Sequence, residues 1–176
     1  QAVKAFNKNL GLNITQYATF NWKAVADAIN ILGGVDVDIS ESEFSWINAY
    51  ISETVKEPGL GSVQLTHAGE NIHLDGVQAV AYGRLRLGDT DYARTERQRI
   101  ILNKAFEKAK QADWATLNNI IQTITPQLAT NVTPADLIPL ARNITRYHMG
   151  ETAGFPAARG EMDVGEIGDC VIPKTL

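Results

Sequence analysis

The stretch "LDGVQAVAYGRLRLGDTDYARTERQRIILNKAFEKA", Leu74 to Ala109, decides how the rest of the chain is read. Asp75 stands where an N-cap is needed and Gln78 follows at the capping-box spacing, so a helix is expected to start here and to fray near Gly83. In the extended "RLR" that follows, Arg84 and Arg86 share one side while Leu85 turns toward the core. The loop "LGDTD" carries Asp89 and Asp91, and a long helix is expected from about Tyr92 to Gln111. At about 100° per residue, Ile101, Leu102, Ala105, Phe106 and Ala109 form one apolar stripe, which Arg94 and Gln98 continue toward the N-terminus. Arg97 lies at the margin of that stripe and Arg99 outside it, so both read as solvated or phosphate-steering charges. An arginine aimed inward requires a carboxylate partner or an anionic ligand, because an uncompensated buried charge is costly.

Outward from this stretch, helical and strand patterns alternate. "QAVKAFNKNLGLN" puts Val3, Phe6 and Leu10 on one helical face, with Gly11 as the stop. "ITQYATF" is rich in strand formers and leads into "NWKAVADAINILGG", where Asn21 is the cap, Phe20 and Val25 the staple, and Gly33 and Gly34 the end. "VDVDI" alternates apolar and acidic residues as a half-buried strand does. The segment 40–64, with Phe44, Trp46 and Tyr50 before a Pro58, Gly59, Gly61 turn, reads equally as a lid or as a short helix on the sheet. Asp113 caps "WATLNNIIQTI", and Thr133, Pro134 and Asp136 open a further helix. The glycine-rich segment 150–173 is expected to form a hairpin that closes one edge of the sheet.

A length of 176 residues fits one domain over 1–176, and 44% hydrophobic with 20% charged residues is the composition of a globular protein, not a disordered one. No apolar run approaches the roughly 20 residues that span a bilayer. Cys170 is the single cysteine, which excludes an internal disulfide and a cysteine-built zinc site. His67, His73 and His148 lack the spacing of metal ligands.

A net charge of −4 makes the clustering of Arg84, Arg86, Arg94, Arg97 and Arg99 conspicuous. Three readings stand at this point. The arginines could pair with Asp89, Asp91 and Glu96 as a solvated network. They could bind nucleic acid, although the acidic remainder offers no extended basic footprint and no aromatic ladder is interleaved. Or Arg84, Arg86, Arg94 and Gln98 converge on a phosphate or pyrophosphate, for which forked guanidinium donors and a helix N-terminus are well suited.

The quoted stretch also resembles the signature of the LytR-CpsA-Psr family: leucine, Asn or Asp, glycine, a short helix ending in Tyr-x-Arg-x-Arg, an acidic loop, then Arg-x-x-Arg-Gln. "GLNITQY", "LGGVDVDI" and "TNVTPADL" look like further landmarks of that family in the right order. The resemblance implies a three-layer α-β-α fold around a central mixed β-sheet, here without its first strands. It implies a membrane-anchored, extracytoplasmic bacterial phosphotransferase that moves a glycopolymer, teichoic acid or capsular polysaccharide, from undecaprenyl pyrophosphate onto peptidoglycan. Carried over, Arg84, Arg86, Arg94 and Gln98 hold the pyrophosphate, and Asp91 is an acidic position of the same site. Val77, Val80, Ala81, Leu102 and Phe106 are candidates for lining a lipid tunnel. The family's transmembrane helix, first strands, an early Arg-Asp pair and the aspartates that place magnesium would all precede Gln1. Magnesium is therefore expected in the intact enzyme and no metal ligand in this piece. Ala93 stands where the family usually has glycine. The competing functions are a DNA-binding transcriptional regulator and a non-catalytic polyprenyl-phosphate-binding fragment; the first needs a recognition helix, and none is apparent.

Overall fold

Capping chemistry sets the helix starts. The Asn21 side chain accepts from the Ala24 N–H at 2.7 Å to open α2 (Trp22–Ile31), and Ser40 with Glu43 forms a reciprocal capping box that opens α3 (Glu41–Thr54). Asp75 with Gln78 opens α4 (Gly76–Arg84) in the same way. The computed structural model describes residues 2–86, 91–151, 159–163, 165 and 169–174. In chain order the other elements are α1 (Ala2–Leu10), β1 (Ala18–Thr19), β2 (Val35–Ile39), β3 (Gly69–Leu74), α5 (Asp91–Gln111), α6 (Trp114–Ile124), β4 (Ala129–Thr130), α7 (Pro134–Arg142), β5 (Arg159–Asp163) and β6 (Asp169–Pro173).

The core lies where α2, α3, α4 and α5 close around β2 and β3. Val35, Val37 and Ile39 are buried while Asp36 and Asp38 face outward, as the alternation requires. Ile29, Ile47, Ile51, Leu74, Ala79, Ala81, Tyr82, Leu85 and Ile101 complete one apolar cluster. The segment after Ser40 is thus a helix that buries Ile47, Ile51 and Thr54, which resolves the choice between lid and helix. Strand β3 pairs antiparallel with β2, Val35 opposite Leu74 and Val37 opposite Ile72. A bulge follows Val37, and Asn71 sits there at φ 52° with its N–H donating to Asp38 Oδ1 at 2.8 Å.

The α/β class holds, and the strands depart from the expected arrangement. Among the described residues they form three separate two-stranded antiparallel ladders, β1 with β4, β2 with β3 and β5 with β6, in place of one central mixed sheet. The β1–β4 ladder is short because side chains take over its polar pairing: Asn131 bonds the Tyr17 N–H and the Thr15 carbonyl, and Thr130 Oγ1 donates to the Tyr17 carbonyl. The C-terminal hairpin exists, with Arg159 opposite Pro173, but among the described residues its strands pair with each other and close no edge of β2–β3.

Helix α5 is also rotated from the expected phase. Its inward row runs through Arg97 and Ile101, whereas Leu102 is 59% exposed and Gln98 is exposed. Arg97, read from the sequence as a solvated or steering charge, is only 4% exposed. The polar partners described below make that burial tolerable.

Gly76 explains the glycine that follows Leu74 and Asp75. A Cβ there would stand 1.9 Å from the Ala26 carbonyl oxygen, so α4 can start against α2 only if this residue has no side chain. Its N–H donates to Asn30 Oδ1 at 2.7 Å, which fixes the crossing.

Candidate functional site

Arg84 ends α4 and reaches across to two other helices. One Nη donates to Thr54 Oγ1 at 2.7 Å, and the other lies 3.1 Å from the Glu53 carboxylate. The guanidinium carbon sits 3.6 Å from the centre of the Trp22 ring, a cation–π stack, with the Tyr50 ring at 5.9 Å. Thr54 is fully buried and its hydroxyl donates to the Tyr50 carbonyl at 2.7 Å, which leaves an oxygen lone pair directed at Arg84. Glu53 is 57% exposed, so its ion pair is solvent-screened and weak. Arg84 is held firmly by packing and loosely by charge.

Beside it opens a pocket of about 250 Å³ lined by Trp22, Val25, Ala79, Val80, Ile101 and Leu102, with Arg84 and Gln98 as its polar residues. Gln98 Nε2 donates to the Gly83 carbonyl at 3.1 Å, at the end of α4. The proposed lipid-lining residues therefore divide. Val80 and Leu102 line this pocket; Val77 and Ala81 are 1% and 0% exposed and belong to the packed core. Phe106 lines a second apolar pocket of about 360 Å³, with Phe20, Ile121, Leu137 and Tyr147, between α6 and α7.

Arg86 follows Arg84 by two residues, outside α4, and its backbone N–H donates to the Tyr50 hydroxyl at 3.2 Å. Arg94 is half-buried in the first turn of α5, and Asp91 is that helix's first residue. The rest of the expected acidic loop, Asp89 included, lies outside the described residues. Arg99 pairs with Glu96 at 3.2 Å, a local surface contact of the kind the network reading expected.

Arg97 is the arginine that sequence reasoning misplaced. Its Nε donates to Glu43 Oε1 at 2.9 Å, one Nη donates to the Leu85 carbonyl at 3.1 Å, and its guanidinium lies 5.9 Å from the Tyr82 ring. Burial pushes the Glu43 carboxyl up, but hydrogen bonds from the Ser40 backbone, Arg97 and the Ser40 hydroxyl outweigh it and hold the group below the usual glutamate value. Tyr82 is pushed up to about 12, first by burial and then by the nearby Glu43 charge. Glu53, Thr54, Trp22 and Glu43 were all absent from the sequence-derived site. The Ser40–Glu43 capping box was the one local signal that could have placed Glu43 in a first helical turn.

Among the described residues, no three His, Cys, Asp or Glu side chains are grouped so as to hold a metal ion, and no helix is long and apolar enough to cross a membrane.

An arginine pinned at an apolar pocket, on a short helix entered by Leu-Asp-Gly, can now be set beside known proteins. The chain is 28% identical over 144 residues to the polyisoprenyl-teichoic acid--peptidoglycan teichoic acid transferase TagT of Bacillus subtilis (strain 168), covering 81% of this chain and 42% of that protein. It is 28% identical over 135 residues to the corresponding transferase TagV of the same strain, covering 75% and 32%. Among solved structures, TagT bound to LIIa-WTA superposes with a TM-score of 0.60 at 28% identity, over 81% of this chain and 50% of that one. B. subtilis TagV superposes with a TM-score of 0.64 at 21% identity, over 94% and 60%, a likeness of fold. The chain spans less than half the length of these curated relatives. The LytR_cpsA_psr family model matches residues 1–153, and the chain belongs to that family.

Proposed function

We propose that this chain supplies the pyrophosphate-holding part of a phosphotransferase, one that moves a glycopolymer from a polyprenyl pyrophosphate carrier onto peptidoglycan. The observation that carries the reading is the placement of Arg84 and Gln98 at an apolar pocket, since a charged head beside an apolar cleft matches a ligand that is anionic at one end and hydrocarbon at the other. The names of TagT and TagV, teichoic acid transferases, support the same reaction class. Teichoic acid is the first candidate for the polymer and capsular polysaccharide the second.

In this reading Arg84, Arg86 and Arg94 clamp the pyrophosphate, Gln98 adds a hydrogen bond, and Asp91 is an acidic neighbour at the start of α5. A peptidoglycan hydroxyl attacks the phosphorus that bears the glycopolymer, and a new P–O bond forms. The bond to the bridging oxygen breaks, polyprenyl phosphate departs, and the hydroxyl proton passes to solvent. Negative charge grows on a leaving phosphate already faced by guanidinium, which is where electrostatic stabilisation lowers the barrier. Val80 and Leu102 receive the first isoprene units. Core packing is the role assigned to Val77 and Ala81, and Phe106 is kept as a candidate for the second pocket. The magnesium that the family resemblance implies finds no ligand set among the described residues. The work is proposed to take place on the extracytoplasmic face of a bacterial membrane, with the intact protein held there by an N-terminal helix.

The test is turnover. The intact protein is incubated with a polyprenyl-pyrophosphate-linked glycopolymer and peptidoglycan, and polyprenyl phosphate release is followed. Release that depends on Arg84 and Arg86 is expected. Saturable lipid binding without release would make the protein a non-catalytic binder, and affinity for a DNA duplex in place of lipid would favour the regulator.

A further inference from the structure

Three side chains hold the backbone from which the candidate arginines project. Arg97 donates from Nη to the Leu85 carbonyl at 3.1 Å, the Arg86 N–H donates to the Tyr50 hydroxyl at 3.2 Å, and Gln98 Nε2 donates to the Gly83 carbonyl at 3.1 Å. They come from α3 and α5, which flank α4. Leu85 has left the helical conformation, at φ −50° and ψ 127°, and is 2% exposed, so its carbonyl needs a partner that the helix no longer supplies. Arg97 is that partner, and the Glu43 carboxylate, 2.9 Å from its Nε, neutralises it. A connected path thus runs from the capping box of α3 through Glu43 and Arg97 to the peptide between Arg84 and Arg86.

A buried ion pair is a weak source of stability, since apolar residues of the same volume often do as well. Geometry is the better reason for this one. We propose that Arg97, with its partner Glu43, and Tyr50 are positioning residues that fix the separation and direction of Arg84 and Arg86 for a pyrophosphate group. The proposal rests on the function put forward above and adds to it residues that act through the backbone beside Arg84 and Arg86.

The experiment titrates farnesyl pyrophosphate and farnesol into the 176-residue chain and into the variants Tyr50→Phe, Arg97→Lys and Arg84→Ala/Arg86→Ala. Tyr50→Phe keeps the ring beside Arg84 and removes one hydroxyl. It is expected to keep its melting point and farnesol affinity and to lose roughly 3- to 10-fold in farnesyl pyrophosphate affinity, the worth of one neutral hydrogen bond. Arg97→Lys keeps the charge beside Glu43, but a single ammonium does not reproduce the fork that reaches both Glu43 and Leu85. Its loss is expected to be larger and again confined to the pyrophosphate ligand.

A role limited to folding would shift the melting point and both ligands together, and that result would overturn the proposal. Unchanged pyrophosphate affinity in folded Tyr50→Phe would overturn it too, whatever Arg97→Lys does. Loss in the double arginine variant with no loss in Tyr50→Phe removes the positioning claim alone. A wild-type chain with no preference for pyrophosphate over farnesol removes the functional reading, and this proposal falls with it.

Discussion

Helices α4 and α7 are both nine residues long, and each is opened by a capping box, Asp75 with Gln78 in one and Thr133 with Asp136 in the other. Their fates are opposite: Gly76 to Gly83 are all buried in α4, and α7 buries no residue. The difference lies in their neighbours, since α4 is enclosed by α2, α3 and α5, while α7 leans chiefly on α6 beside the open second pocket. A cap starts a helix, and its surroundings decide what that helix contributes. Arg84 ends the enclosed helix and Arg86 lies just beyond it, where a guanidinium can be aimed with little freedom.

Substitutions can break this comparison, and the largest effect is expected at the start of α4. Gly76→Ala forces a Cβ against the Ala26 carbonyl and is expected to cost roughly 3 kcal/mol or more, read as a fall in the melting point. Ala135→Val, in the exposed first turn of α7, is expected to change stability by less than about 0.5 kcal/mol. Comparable losses at both sites would mean that α7 is enclosed as well. Next in size, Ile51→Ala, at 1% exposure on α3, is expected to cost about 2–5 kcal/mol in denaturant unfolding, well above Leu140→Ala on α7, where half the side chain is already in water.

The caps sharpen the contrast at smaller scale. Asp75→Ala and Thr133→Ala each remove a capping oxygen worth about 1 kcal/mol. Asp75 also accepts from the Ser62 hydroxyl, so its loss is expected to be the greater in paired melting curves. Equal losses would assign no value to that added bond.

The smallest effects are those of pH. Tyr82, in the enclosed half, keeps its proton to about 12, above its unfolded value, so between about pH 10 and 12 the unfolded chain loses a proton that the folded chain retains. Its contribution to stability is intact below pH 10 and declines as pH rises toward 12. Tyrosinate absorbance is expected to show Tyr82 titrating late, a component that Tyr82→Phe removes. At the acid end Glu43 is held below its ordinary value, so its contribution is present above about pH 4.5 and is lost as pH falls through the lowered value. Unfolding midpoints that stay flat over both ranges would contradict these assignments.

How much of this was legible in the sequence follows the range of the interactions. Asn21, Ser40, Asp75, Asp113 and Thr133 all cap within three residues of themselves, and local spacing found four of them, Ser40 being the exception. Strand β3 escaped notice because "GENIHL" offers only Ile72 and Leu74 as an alternating pair. The phase of α5 differs because a stripe counted through Ile101, Leu102, Ala105 and Phe106 leaves Arg97 at its margin, whereas Leu102 faces outward and Arg97 inward. Its burial depends on Glu43, 54 residues away in sequence. The cradle of Arg84 is hidden for the same reason, since Trp22, Glu53 and Thr54 meet it only after α2, α3 and α4 have packed.

The most direct test of the account is a calorimetric titration of a short polyprenyl pyrophosphate into this chain and into its Arg84→Ala/Arg86→Ala variant. Saturable binding by the first, lost in a variant that remains folded, is the result the account predicts. Equal affinity in the two would contradict it, and would leave Arg84 as a packing residue between α3 and Trp22.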